Sequence, residues 1–181
     1  MSRINPITAA NADPKQQEIL KKVEKAFGGV PNVIGTLAQS PSAATAYLGF
    51  KQALSLGTLS RPVRERIALT VGQANSCHYC VAAHTALGAK AGLSKNELLS
   101  ARQGDSEDKR TAAALRFAGR VVEQRGEISD SDLDDLRAHG FSDGETLEIV
   151  ANVVLNILTN YVNHIAGTEI DFPIAPDLAA A

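Results

Sequence analysis

A chain of 181 residues, 44% hydrophobic and 21% charged, has the balance of one globular domain and is long enough to bury a full core without staples. Its formal net charge of -2, with acids and bases interspersed, gives no basic field for nucleic acid or for an anionic membrane surface. The opening residues, MSRINPITAANADPKQQ, carry neither the apolar run of a secretory signal nor the arginine-rich look of a transit peptide, so the expected compartment is the cytoplasm.

Apolar residues recur at spacings of three and four, and alternating strand-like runs are nearly absent, so the expected class is all-α, a single domain over 1–181. Asp13-Pro14 opens a helix that runs to Phe27 and stops at Gly28-Gly29, with cap, first-turn proline and terminal glycine in order. Ser40-Pro41 opens a second, ending near Gly57, and Ser60 with Pro62 a third, to about Asn75. A cysteine-bearing helix follows from about Cys77 to Ala91, closed by Gly92. Ser94 with Glu97, and Ser142 with Glu145, have capping-box spacing and mark two further starts. Between them lie helices over about Asp108–Gln124 and Asp130–Ala138.

The last helix, about Gly144–Ala166, is apolar on more than one side and needs cover all round, as the central helix or against another subunit. Its stretch Ile149 to Ile165 is interrupted by Asn152, Asn156, Asn160 and Asn163, which are costly in lipid, so it does not read as a membrane span. That asparagine stripe reads first as an interhelical seam or interface and second as site lining, together with His164. The tail over about 171–181, with Pro173 and Pro176, is expected to be extended or loose.

Chemistry concentrates in a redox core over about 60–92, where Glu65 is followed after eleven residues by Cys77-x-x-Cys80 and then by His84. At about 100° per residue, Cys77, Cys80 and His84 fall within about 60° on one helix face. His78 and Tyr79 turn away from that stripe and are at most auxiliary. A free thiol is only a few per cent ionised at neutral pH, and the thiolate is the nucleophile. His84, one turn after Cys80, can take or relay the proton, and the second thiol can then close a disulfide, a two-electron cycle that needs no cofactor. Glu65, from the preceding helix, would orient the imidazole. Taken alone, with Arg64 and Arg66 beside it, Glu65 reads as a surface acid favoured by the helix dipole.

Rival readings use the same residues. Cys77 and Cys80 with a histidine are soft zinc ligands, but no further cysteine exists and only His78, His139 and His164 could complete a cage, so no metal is expected. Covalent haem attachment needs histidine directly after the second cysteine, where Val81 stands. A thioredoxin-like dithiol expects βαβ surroundings that this sequence does not offer. A non-enzymatic redox sensor, whose disulfide alters assembly, stays open.

With that spacing in hand, the segment ERIALTVGQANSCHYCVAAHTALGAKAGLS resembles the AhpD-like branch of the carboxymuconolactone decarboxylase family, in its peroxidase-related subgroup. The likeness extends weakly upstream through PNVIGTLAQSPSAATAYLGFKQAL and downstream through NYVNHIAGTEIDFP. The resemblance implies an AhpD-like helical bundle, a homo-oligomer (trimer or hexamer), and thiol-dependent reduction of alkyl hydroperoxides. It implies Cys80 as the peroxidatic cysteine, Cys77 as its disulfide partner, and Glu65 and His84 as the proton relay. The reductant would be a lipoyl or thioredoxin-like dithiol. One position departs: the branch carries a second histidine immediately before the second cysteine, where this chain has Tyr79, with His78 one place earlier. Decarboxylases of the family lack the dithiol, which argues against ring-acid decarboxylation here.

Overall fold

The structure is a computed structural model that describes residues 2–178; the last three residues of the expected tail lie outside them. Among the described residues there are nine helices and no strand. They are α1 (Pro14–Phe27), α2 (Asn32–Leu37), α3 (Pro41–Ser55), α4 (Arg61–Ala74), α5 (His78–Lys90), α6 (Lys95–Arg102), α7 (Lys109–Glu123), α8 (Asp130–Ala138) and α9 (Asp143–Ala166).

Local chemistry sets most of these boundaries. Reciprocal capping boxes join Asp13 to Gln16, Ser94 to Glu97, Ser129 to Asp132 and Ser142 to Glu145, each worth on the order of 1 kcal/mol to its helix. Gly28 ends α1 in the left-handed conformation at φ 79°, which costs a residue without a Cβ little. The short α2 has no counterpart in the sequence expectations. Pro31 precedes it and has no side chain to cap it, so distant residues hold it: Asp171 and Tyr79 accept from its first two amides, Asn32 and Val33, and Val33, Ile34 and Leu37 are all buried.

The helix α4 is the hub, packed against α5, α6, α7 and α9. Its fully buried Ile67, Leu69 and Val71 join Leu115 and Ile149 in one apolar cluster. Truncating any one of the larger of these to alanine costs about 2–5 kcal/mol. A second cluster, built from α1, α2, α3, α5 and α9, holds both cysteines. Gly72 lets α4 and α5 approach, since a Cβ there would lie 3.4 Å from the Cβ of Cys80.

The last helix is two-faced. Asn152, Asn156, Thr159, Asn160 and Asn163 form a buried stripe, whereas Leu147, Val154, Leu158, Tyr161 and Ile165 lie exposed on the opposite side. By length and composition α9 could cross a membrane, but half of that stretch is buried inside the fold. Beyond α9 the described residues 168–178 form no helix, and the chain is held where it passes the cysteines. Asp171 accepts the Tyr79 hydroxyl and the Asn32 amide, and Phe172 meets the Tyr79 ring edge-on.

Candidate active site

Cys77 lies just outside α5, where a regular helix over Cys77–Ala91 was expected. Ser76 adopts φ 53°, and the Cys77 amide donates to the Gly72 carbonyl, so the chain turns sharply before α5 begins. Cys77 is therefore the N-cap, its sulfur accepting the Cys80 amide at 3.4 Å. Capping, and not helical periodicity, brings its sulfur to within 2.8 Å of the Cys80 sulfur, well beyond the roughly 2.05 Å of a disulfide. Both cysteines are free and buried.

On α9, Asn163 aims its side-chain nitrogen at both sulfurs, 3.3 Å from Cys80 and 3.9 Å from Cys77. The Thr159 hydroxyl lies 4.0 Å from the Cys80 sulfur. The sequence pattern marks these asparagines as a seam; the structure makes the C-terminal half of that seam a wall of the dithiol site. His164 is exposed and turned away from it.

Across the site, His84 Nδ1 and Glu65 Oε2 are 2.7 Å apart, with side chains 18% and 14% exposed. Glu65 is thus no surface acid. Its sequence neighbours look elsewhere, Arg64 donating to the Leu59 carbonyl and Arg66 pairing with Glu97. Burial pushes the Glu65 carboxyl up, but the hydrogen bond and charge of His84, with Lys51 and Arg61, outweigh it and hold the group below its ordinary pKa. With Nδ1 engaged, Nε2 is the ring nitrogen left for other partners. No hydrogen bond joins the ring to either sulfur among the described residues.

A cavity of about 280 Å³ opens onto this arrangement, lined by Cys80, His84 and Asn163 and otherwise mainly by apolar and aromatic side chains. Cys77 does not reach it. Tyr79 does, but its hydroxyl is committed, accepting from the Val33 amide at 3.2 Å and donating to Asp171 at 2.7 Å. Its part is to pin α2 and the tail around the cavity. His78 is exposed at the first position of α5 and stands outside the site.

Access and acidity point to different sulfurs. A hydrogen bond from Cys80 lowers the Cys77 pKa against the effect of burial, helped by the Cys80 amide, Asn163 and Asn160. The same bond, burial and the Cys77 charge push the Cys80 thiol up, Asn163 and Asn160 opposing. The pair therefore gives up its first proton readily and its second with difficulty, as two groups sharing one proton must. Cys77 is the better resting place for the charge, while Cys80 is the sulfur an incoming molecule meets.

Three further residues carry no sequence signal. Tyr47 and Lys51 of α3 line the cavity, and Asp171 closes one side of it. Burial first, then the charges of Cys80 and Glu65, raise the Tyr47 pKa, so its hydroxyl stays a donor. Among the described residues no group of three or more His, Cys, Asp and Glu side chains could hold a metal ion.

Residues 41–124, which span the dithiol, Glu65 and His84, match the model of the carboxymuconolactone decarboxylase family. The chain carries a domain of that family, in its AhpD-like branch. A peroxidase-related protein with an AhpD core from Ralstonia eutropha JMP134 shares 29% identity and a TM-score of 0.83, covering 94% of this chain and 92% of that one. For a peroxidase-related protein from Silicibacter sp. TM1040 the values are 27% and 0.78, with 87% of each chain covered. A variant of the debrominase Bmp8 in complex with 2,3,4-tribromopyrrole aligns at 20% identity and TM-score 0.79, covering 93% and 91%, a likeness of fold alone. No curated protein matches the chain. The family match begins with α3 and ends just after α7, so α9, which supplies Asn163, lies outside it.

Proposed function

We propose that this AhpD-like protein is a thiol peroxidase that reduces organic hydroperoxides by a Cys77/Cys80 dithiol-disulfide cycle. The observation that carries the reading is the Cys80 sulfur on the wall of an apolar cavity that it shares with His84, the imidazole backed by Glu65 at 2.7 Å.

In the proposed cycle the Cys80 proton passes to Cys77, or through a cavity water to His84, and Asn163 holds the resulting thiolate. The thiolate attacks the outer peroxide oxygen; an S–O bond forms, the O–O bond breaks, and the alkoxide leaves as the alcohol with a proton from the His84 side. Cys77 then attacks the Cys80 sulfenic acid, forming the S–S bond and expelling hydroxide, which is protonated to water. An external dithiol, lipoyl or thioredoxin-like, returns two electrons and two protons. Tyr79 stands where the branch has a second histidine, so the imidazole relay here runs through the Glu65–His84 pair.

The test is steady-state consumption of cumene hydroperoxide with excess dihydrolipoate. Turnover that disappears in Cys80→Ser, with a dimedone-trappable sulfenic acid in Cys77→Ser, supports the reading. Undiminished turnover in Cys80→Ser overturns it. A purely regulatory dithiol would react once and stop.

A further inference from the structure

A second cavity, of about 330 Å³, lies beside the dithiol chamber, and Tyr47, Lys51 and His84 line both. Lys51 stands at this shared wall, only partly exposed, with its ammonium 5.0 Å from the centroid of the Phe27 ring. No carboxylate lies within ion-pair distance of it among the described residues. Arg61 and Arg64 border the second cavity and Lys90 the first, so four cations surround the joined space.

Only Glu65 and Asp171 oppose them, and both are committed. Glu65 holds His84, while Asp171 accepts from the Tyr79 hydroxyl at 2.7 Å and from the Asn32 amide at 2.8 Å. A cation kept partly out of water without a counterion is unfavourable, and it becomes favourable when an anion completes it. The Lys51 pKa carries the same mark: burial lowers it, and Arg61 and Arg64 lower it further against the pull of Glu65. The remaining lining of the dithiol chamber is apolar and aromatic, including Phe27, Val33, Leu87 and Phe172.

An apolar chamber with a reactive sulfur on one wall and an unpaired ammonium on another selects for a molecule with two different ends. We infer that Lys51 is a specificity-determining residue, and that the substrate is an organic hydroperoxide bearing a carboxylate, which pairs with Lys51 while the peroxide group meets Cys80. This rests on the peroxidase reading above and narrows it to a class of substrate.

The test uses a matched pair, cumene hydroperoxide and the same molecule with a para-carboxylate, which differ in charge and not in the reacting centre. For the native sequence kcat/KM is expected to be at least about tenfold higher for the acid, expressed mainly in KM, the size of one charge-assisted hydrogen bond. In Lys51→Met the preference falls toward unity, and in Lys51→Arg part of it returns. A second arm needs no turnover: 4-isopropylbenzoate should slow iodoacetamide alkylation of the dithiol in the native protein and not in Lys51→Met. Equal use of both hydroperoxides, with no protection by 4-isopropylbenzoate, overturns the inference and leaves the peroxidase reading standing. Lys51-dependent protection without consumption of either hydroperoxide supports the anion site and overturns the peroxidase.

Discussion

Asn163, 83 residues further along the chain and on a helix outside the family-matched segment, sets its amide nitrogen 3.3 Å from the Cys80 sulfur. A neutral donor fixed there favours sulfur that has lost its proton, without adding a charge that would itself need burying. Replacement by Leu removes that donor, and a hydrogen bond to a charged group contributes about 1.5–3 kcal/mol. The dithiol's first ionisation is then expected to move to higher pH, and alkylation at neutral pH to slow about tenfold or more. Iodoacetamide rates measured against pH check both, and an unmoved profile would show that Asn163 only packs.

Glu65→Gln keeps a hydrogen-bonding oxygen for His84 but discards the charge. Turnover is expected to fall about 10- to 100-fold, toward the low side of what a positioned proton relay contributes. The same change has a stability signature with a definite sign. The folded pKa of Glu65 lies below its unfolded value, so its contribution is present above about pH 4.3 and is lost as pH falls through the folded pKa. Melting temperatures recorded from pH 3 to 7 should therefore drop on acidification in the native protein, and the part of that drop due to Glu65 should vanish in the variant.

Tyr79→Phe leaves the ring against Phe172 and deletes the hydroxyl that ties the Val33 amide to Asp171. Loss of stability of about 1–3 kcal/mol is expected, because the amide loses its partner in a buried place. Hydrogen exchange localises the effect: amides around 32–35 and 169–173 should exchange faster while those of α7 do not change.

The outer face of α9 exposes Val154 at 49%, Leu158 at 40%, Tyr161 at 55% and Ile165 at 63%, spaced as one stripe. Such a stripe on a long helix fits burial against a second copy of the chain. Sedimentation is expected to give a multiple of 19.1 kDa, and Leu158→Glu together with Ile165→Glu to return it to the monomer. A monomeric native protein would refute this use of the stripe.

Helix ends were legible wherever one side chain within three residues finishes the job, as at Asp13, Ser94 and Ser142. The short α2 was not, because its stability comes from contacts that no local pattern announces. Cys80 and His84 on a shared face followed from helical periodicity, and Glu65 from its place in the family pattern. Cys77 reached the same place by another route, through the left-handed turn at Ser76, a residue type with no strong claim to that conformation. The asparagines of α9 showed in the sequence which face was polar, but not that this face met sulfur. Lys51 and Tyr47 gave no sign at all, since what matters about them is their place on the cavity wall, which only the packing of α3 decides.

Cys77 has two duties that pull against each other. Reduced, its sulfur takes the Cys80 amide proton and completes the opening turn of α5; once joined to Cys80 it is a neutral, feeble acceptor, and that amide is left poorly served. In the proposed cycle, closing the disulfide would therefore loosen the mouth of a helix whose two cysteines are otherwise only 1% and 3% exposed. On the peroxidase reading, an external dithiol would then meet the bond it has to reduce at a loosened helix end, and a tight one once both thiols are restored.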